Sequence, residues 1–301
     1  MKYGNWTLGQ TEALLNLLGG EDEALAVLRG EKTLRIEAPE IKLFNKNGRR
    51  IPSKGLQNAV CDPDKDFRLI QPEFKTMGDY TQRLIRFLQM FPGPMSVAEF
   101  EGKTKKLVSE LESNKLLVNL LNGVYLPIIL PQIEAKNFDY GTILENMFLS
   151  AVKKAYEAQF PGRNFYNYCK GELANRVSIV EGSRYEILVE RMKQGIVYAL
   201  YFPNPLQGFS VLASREQMAV LPESLILGGG IDASTAMVMY PDILARDFKT
   251  SGYDLSALLW QSSDRSLYFR AYDDGLSFDD GADLGDAYDD YSSGLLFLGS
   301  A

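Results

Sequence analysis

Residues Tyr253 to Leu298 read YDLSALLWQSSDRSLYFRAYDDGLSFDDGADLGDAYDDYSSGLLFL. Two kinds of position are interleaved here. One is apolar or small: Leu255, Leu258, Leu259, Trp260, Leu267, Phe269, Leu276, Phe278, Leu284, Ala287 and the run Leu295-Leu296-Phe297-Leu298. The other is almost all Asp, Tyr, Arg or Ser. It comprises Tyr253, Asp254, Asp264, Arg270, Tyr272, Asp273, Asp274, Ser277, Asp279, Asp283, Asp286, Tyr288, Asp289, Asp290 and Tyr291. Leu267 alternates with Phe269, and Leu276 with Phe278, which is the period of half-buried strands. The polar set falls between them, on expected turns and outward faces. One stretch thus carries both a scaffold and a display.

After Thr250 the chain has no Asn, Lys, Ile, Met or Thr, although its first half uses all of them freely. These residues share adenine-rich codons, so one explanation lies in the gene rather than the fold. With this pattern, the closing Ser292-Ser293-Gly294-Leu295-Leu296-Phe297-Leu298-Gly299 and the segment Arg265-Ser266-Leu267-Tyr268-Phe269-Arg270, the chain resembles the variable proteins of diversity-generating retroelements. In that family a reverse transcriptase copies a template with errors at adenines, and the copy replaces the C-terminal coding segment. Template Asn codons become Asp, Tyr, Ser, Ala, Gly or Arg, while adenine-poor codons for Leu, Phe, Gly and Trp persist. The resemblance implies a C-type lectin-like fold of the formylglycine-generating-enzyme type. In that fold the first and last strands pair, which makes Leu295 to Leu298 the closing strand. It also implies a non-enzymatic protein whose hypervariable region, about 253–292, binds a protein or other macromolecular surface.

Composition narrows the classes. The formal net charge is −7, with much of the acid near the C-terminus. Non-specific nucleic-acid binding needs clustered Lys and Arg, and anionic membranes repel such a chain. No apolar run is long enough to span a bilayer, and no signal peptide is read in the first residues, so the cytoplasm is the default compartment. The chain has no His, which removes Ser-His-Asp, Cys-His and His-ligated metal chemistry. Cys61 and Cys169 match no metal spacing and are expected as reduced structural thiols. No enzyme activity, cofactor or metal is expected.

Taken in order, the chain predicts an α+β protein. Residues 1–121 are expected to form a mainly helical N-terminal region, and residues 122–301 the lectin-like domain. Thr7 caps a short helix stopped by Gly19-Gly20, a second helix follows to Arg29, and Thr33 to Ile36 alternates like a strand. Asp79 to Met90 reads as a helix, and Ser96 with Glu99 as the capping box of the next. The Lys103, Lys105, Lys106 cluster reads as a solvated face. Val124 to Leu130 reads as a strand, Tyr140 to Gln159 as the strongest helix, and Ile196 to Phe202 as a strand buried on both faces. Gly228-Gly229-Gly230 reads as a hinge or turn, since no G-x-G-x-x-G spacing is present.

Other readings compete. Asp62-Pro63-Asp64-Lys65-Asp66 lacks the Gly and Glu of a calcium hand and reads as a solvated loop. Asp273-Asp274-Gly275, Asp279-Asp280-Gly281 and Asp283-Leu284-Gly285-Asp286 invite a calcium-binding lectin-like protein but have no fixed period. A degenerate formylglycine-generating-enzyme-like domain is the other alternative; the cysteine pair of such enzymes is missing, because no Cys follows Cys169.

Overall fold

The computed structural model describes residues 7–35, 42–136, 138–261 and 264–299. The chain forms two compact units, residues 1–41 and 42–301. In the first unit, α1 (Leu8–Leu17) begins with a capping box. Thr7 Oγ1 accepts from Gln10 N at 3.2 Å, and Thr7 N donates to the Gln10 side chain at 2.9 Å, which satisfies donors that a helix start leaves open. Gly19 and Gly20, with φ of +95° and +104°, take backbone that only glycine adopts cheaply and lead into α2 (Glu21–Leu28). Thr33 to Arg35 has no regular structure, so the expected strand does not form there; Ile36 lies outside the described residues.

The second unit opens with an irregular segment and then α3 (Met77–Met90) and α4 (Val97–Ser113). Ser96 caps α4 by accepting from Glu99 N at 3.1 Å. β1 (Leu126–Leu130) follows, then one helical run: α5 (Tyr140–Ile143), a π-helical stretch Leu144–Leu149, and α6 (Ser150–Gln159). Next come β2 (Asn164–Asn167), β3 (Val177–Ile179), α7 (Tyr185–Gln194), β4 (Val197–Phe202), α8 (Val211–Gln217) and β5 (Leu225–Leu227). α9 (Gly230–Met239) and α10 (Pro241–Leu244) precede six strands: β6 (Gly252–Asp254), β7 (Leu258–Trp260), β8 (Arg265–Ala271), β9 (Gly275–Asp283), β10 (Tyr291–Ser293) and β11 (Leu295–Phe297). The architecture is α+β. Among the described residues no helix is long and apolar enough to cross a membrane.

Residues 42–121 share the core of this unit, so the expected division at 121/122 falls inside it. α3 and α4 are amphipathic and need an apolar surface to cover them; they find it among the aromatics. Tyr80 meets Phe100 edge-on at 5.6 Å, Phe100 stacks on Tyr198 of β4 at 6.5 Å, and Arg83 Nη2 donates to Asp242 Oδ2 of α10 at 2.9 Å.

Three sheets form. One has the order β1-β4-β11-β5, another β10-β6-β8-β9-β2, and β3 pairs with β7. β11 lies inside the first sheet, between β4 and β5, rather than closing it. The expected pairing of the first strand with the last is therefore not made. The Val197–Phe202 strand, apolar at every position, takes the centre between them.

α9 is absent from the sequence reading, which saw only a hinge at its start. All ten of its residues are buried, so it has no polar face and no helical period to read. Gly229 and Gly230 allow close approach rather than bending: a Cβ on Gly229 would lie 2.6 Å from the Tyr185 ring, and one on Gly230 2.9 Å from Leu144. The space is used by a buried network. Tyr185 donates to Asp232 Oδ1 at 2.7 Å, its hydroxyl lies 2.9 Å from that of Tyr140, and Gly230 N and Ile231 N donate to Tyr140 Oη at 3.1 and 3.2 Å. Burial pushes the Asp232 carboxyl up to about 7.

Candidate functional site

Strand register sorts the display residues. Tyr253 pairs with Phe269, and Phe269 with Phe278. Directly paired residues share a face, so these side chains point into the core; the Phe269 and Phe278 rings meet at 5.0 Å. Asp254 pairs with Tyr268, Tyr268 with Asp279, and Arg270 with Ser277. These occupy the opposite, outer face. β10 adds Tyr291 level with Gly252, and β2 adds Tyr166 level with Ser277.

The outer face has a packed centre and an exposed rim. Asp264, Tyr272, Asp273, Asp274, Asp283, Asp286, Tyr288 and Asp289 are exposed. Tyr272, Asp273 and Asp274 form the tip of the β8–β9 hairpin, and Asp264 and Asp283 lie at its other end. The hairpin between them is roughly 20 Å long. Arg270, Asp279, Asp290 and Tyr291 are half-buried. Arg270 Nη2 pairs with Asp290 Oδ2 at 2.7 Å, and its guanidinium lies 5.1 Å from the Tyr291 ring centre and 5.2 Å from that of Phe67. Tyr291 also packs on Tyr268 and Tyr288, at 5.5 and 5.6 Å. Burial, and then the Asp279 carboxylate, push the Tyr268 hydroxyl up to about 12.

Three expected display residues are buried: Tyr253, Asp254 and Ser277. Tyr253 faces inward because it is the register partner of Phe269. Ser277 donates to Arg270 O at 3.2 Å, a bond within the sheet. Asp254 sits on the outer side but beneath it, with Oδ1 unpartnered. Burial and the neighbouring Asp290 carboxylate push it up to about 7.

Gly275, Gly281 and Gly285 are not among the glycines with positive φ. Gly275 and Gly252 instead make room for aromatic rings: a Cβ would lie 2.6 Å from Tyr166 at the first and 2.6 Å from Tyr291 at the second.

The loop from Leu284 to Tyr291 is fixed by its own backbone. Leu284 N donates to Asp264 O at 3.0 Å, and Leu212 N to Leu284 O at 3.0 Å. Asp289 O accepts from Asp64 N at 2.9 Å and from Gln207 Nε2 at 2.7 Å. Gly252 N donates to Asp290 O at 2.9 Å, and Gly208 N to Tyr291 O at 3.0 Å. Asp286, Tyr288 and Asp289 are exposed on this loop.

Sequence reasoning missed the partners of this loop. The Asp62–Asp66 segment, read as a solvated loop, is hydrogen-bonded to Asp289, and Phe67 beside it lies under Arg270. Tyr166 and Tyr168 were also missed. Their rings stack at 6.3 Å, Tyr166 on the edge strand β2 and Tyr168 just past its end, and both are exposed. Their alternation in Asn164-Phe165-Tyr166-Asn167-Tyr168 was the available signal.

Cys61 and Cys169 are both free. Cys169, Asp279 and Asp280 bring ligand atoms within 4.8 Å of one another. Burial, with Asp280 and Asp279 nearby, pushes the Cys169 thiol up to about 12. Asp280 Oδ2 already accepts from Trp260 Nε1 at 2.8 Å. This group is not the all-oxygen set that calcium takes. Comparison of the chain with known protein families, with curated proteins and with solved structures finds no match.

Proposed function

We propose that the chain is a non-enzymatic ligand-binding protein of the retroelement variable-protein kind, a lectin-like domain that presents changeable side chains on a fixed backbone. What carries this reading is the way the 284–291 loop is held. Its anchors are main-chain carbonyls and amides of Leu284, Asp289, Asp290 and Tyr291. Such bonds survive a change of side chain, so Asp286, Tyr288 and Asp289 are free to vary without moving the loop. The rim chemistry suits recognition of a macromolecular surface: Tyr supplies rigid contact area with a polar tip, and Asp supplies acceptors, as in antibody loops. Tyr166 and Tyr168, outside the variable stretch, add constant aromatic contacts at one edge.

The reading is tested by randomising Tyr272, Asp273, Asp274, Asp283, Asp286, Tyr288 and Asp289 together, displaying the variants, and selecting for binding to immobilised lysozyme. Most variants should keep wild-type resistance to protease, and selected binders should owe their affinity to these positions. Variants that lose protease resistance as often as variants randomised at Phe269, Phe278 and Leu296 would refute it.

A further inference from the structure

Cys169 lies just past the end of β2, and Asp279 and Asp280 are neighbours in β9. Their ligand atoms fall within 4.8 Å of one another, and among the described residues no other three His, Cys, Asp or Glu side chains converge in this way. Neighbours on a strand normally point to opposite faces. Here Ser266 pairs with Ala282 and Tyr268 with Asp279, so Leu267 alone stands opposite Asp280 and Gly281. A bulge of this kind re-aims side chains, and both carboxylates come to the same thiol. Two further observations point to a cation. The half-buried Asp242, Asp247 and Asp290 each meet an arginine. Asp279 and Asp280 are also half-buried, yet among the described residues neither is in an ion pair. The second observation is the thiol. Cys169 is 4% exposed, and among the described residues its Sγ makes no hydrogen bond, although two carboxylates lie within 4.8 Å. Buried polar groups almost always find partners.

The donor set selects the metal. Calcium and magnesium take oxygen ligands, whereas zinc takes thiolate and carboxylate together in a tetrahedron. Ligand atoms of such a tetrahedron lie roughly 3.3–3.7 Å apart, so side-chain rotations that move each atom by about 1 Å close the triangle seen here. The carboxylates are already held from outside: Asp280 Oδ2 accepts from Trp260 Nε1 at 2.8 Å, and Asp279 Oδ1 from Asp280 N at 2.8 Å. Bonds of this kind aim a ligand, and each carboxylate keeps a second oxygen. We propose that Cys169, Asp279 and Asp280 bind one zinc ion, with water in the fourth position. On binding, the thiol gives its proton to solvent and the sulfur forms the zinc–thiolate bond. The ion ties the end of β2, beside Tyr166 and Tyr168, to β9. The proposal does not rest on the display function.

The test uses the full chain, kept reduced and stripped of metal with a chelator. Cobalt(II) is the probe, because a cobalt–thiolate bond gives a charge-transfer absorption that cobalt–carboxylate bonds do not. The wild-type chain should take up one cobalt with that band. Zinc should displace it at one equivalent, and calcium or magnesium in large excess should not. Cys61→Ala should keep the band and Cys169→Ala should lose it. Asp279→Asn combined with Asp280→Asn should weaken zinc binding, measured by calorimetry, by more than about ten-fold. Zinc should raise the melting temperature of wild type and of Cys61→Ala, but not that of Cys169→Ala. The two Asn changes keep the side-chain shape, so they decide the matter if Cys169→Ala does not fold. Absence of a cobalt–thiolate band in the wild type would overturn the proposal. So would a band that is lost with Cys61 instead of Cys169, zinc affinity unchanged by the paired Asn changes, or displacement of cobalt by calcium.

Discussion

Arg270 Nη2 lies 2.7 Å from Asp290 Oδ2, and this pair joins the C-terminal end of β8 to the end of the display loop. Only 12% of the Arg270 side chain is exposed, and the guanidinium lies between Phe67 and Tyr291. Arg270 therefore belongs to the support of the face rather than its rim. Arg270→Ala should cost about 2 kcal/mol, the sum of a partly buried ion pair and its ring contacts. Urea denaturation measures it. A loss as small as that of an exposed rim residue would mean that the pair supports nothing.

Frame and rim should separate by stability. Phe269→Ala, Phe278→Ala and Leu296→Ala, all in the core, should each cost about 2–5 kcal/mol. Tyr272→Ala, Asp274→Ala and Asp289→Ala, all exposed, should stay within about 0.5 kcal/mol. Tyr291→Ala belongs with the frame, since its ring covers Gly252. Equal effects from both groups would make the rim structural.

Gly252 and Tyr291 should couple. A Cβ at residue 252 would lie 2.6 Å from the Tyr291 ring, so Gly252→Ala should cost about 1–3 kcal/mol by overpacking. Adding Tyr291→Ala removes the obstacle, and the second change should cost less in the Gly252→Ala background than alone. Additive losses in a double-mutant cycle would show that the ring does not depend on the glycine.

Stability should fall as pH rises. The Asp254 carboxyl holds its proton to about 7 when folded, against 3.8 when unfolded. Between these values the folded chain binds more protons than the unfolded one, so stability is full below the lower value and is lost as pH rises through the upper. Asp254→Asn cannot ionise. It should melt close to wild type at about pH 4 and above it at about pH 8. Asp232, also pushed up to about 7, acts in the same direction and leaves part of the slope in the variant. An Asp254→Asn melting profile parallel to that of wild type would contradict this.

What could be read from the sequence was whatever repeats along the chain. The alternation of Leu267 with Phe269 and of Leu276 with Phe278 marks the inward face of β8 and β9, and the apolar run at Val197–Phe202 marks β4. α9 could not be read, because a helix buried all round has no amphipathic period. The contact of Asp64 with Asp289 could not be read either, since a main-chain amide and a carbonyl far apart in the chain leave no trace in side-chain identity. For the same reason residue type alone put Tyr253, Asp254 and Ser277 on the display: an Asp or Tyr codon is the same whether the strand register turns it out or in.

The most direct test of the variable-display account is to sequence the DNA around the gene and look for a near-repeat of the segment encoding Tyr253 to Leu298 beside a reverse-transcriptase gene. The account predicts mismatches where the repeat has adenine, concentrated at the codons for Tyr272, Asp273, Asp274, Asp283, Asp286, Tyr288 and Asp289, with the codons for Leu267, Phe269, Phe278 and Leu295 to Phe297 unchanged. No repeat, or mismatches spread evenly over all four bases and over frame and rim alike, would contradict it.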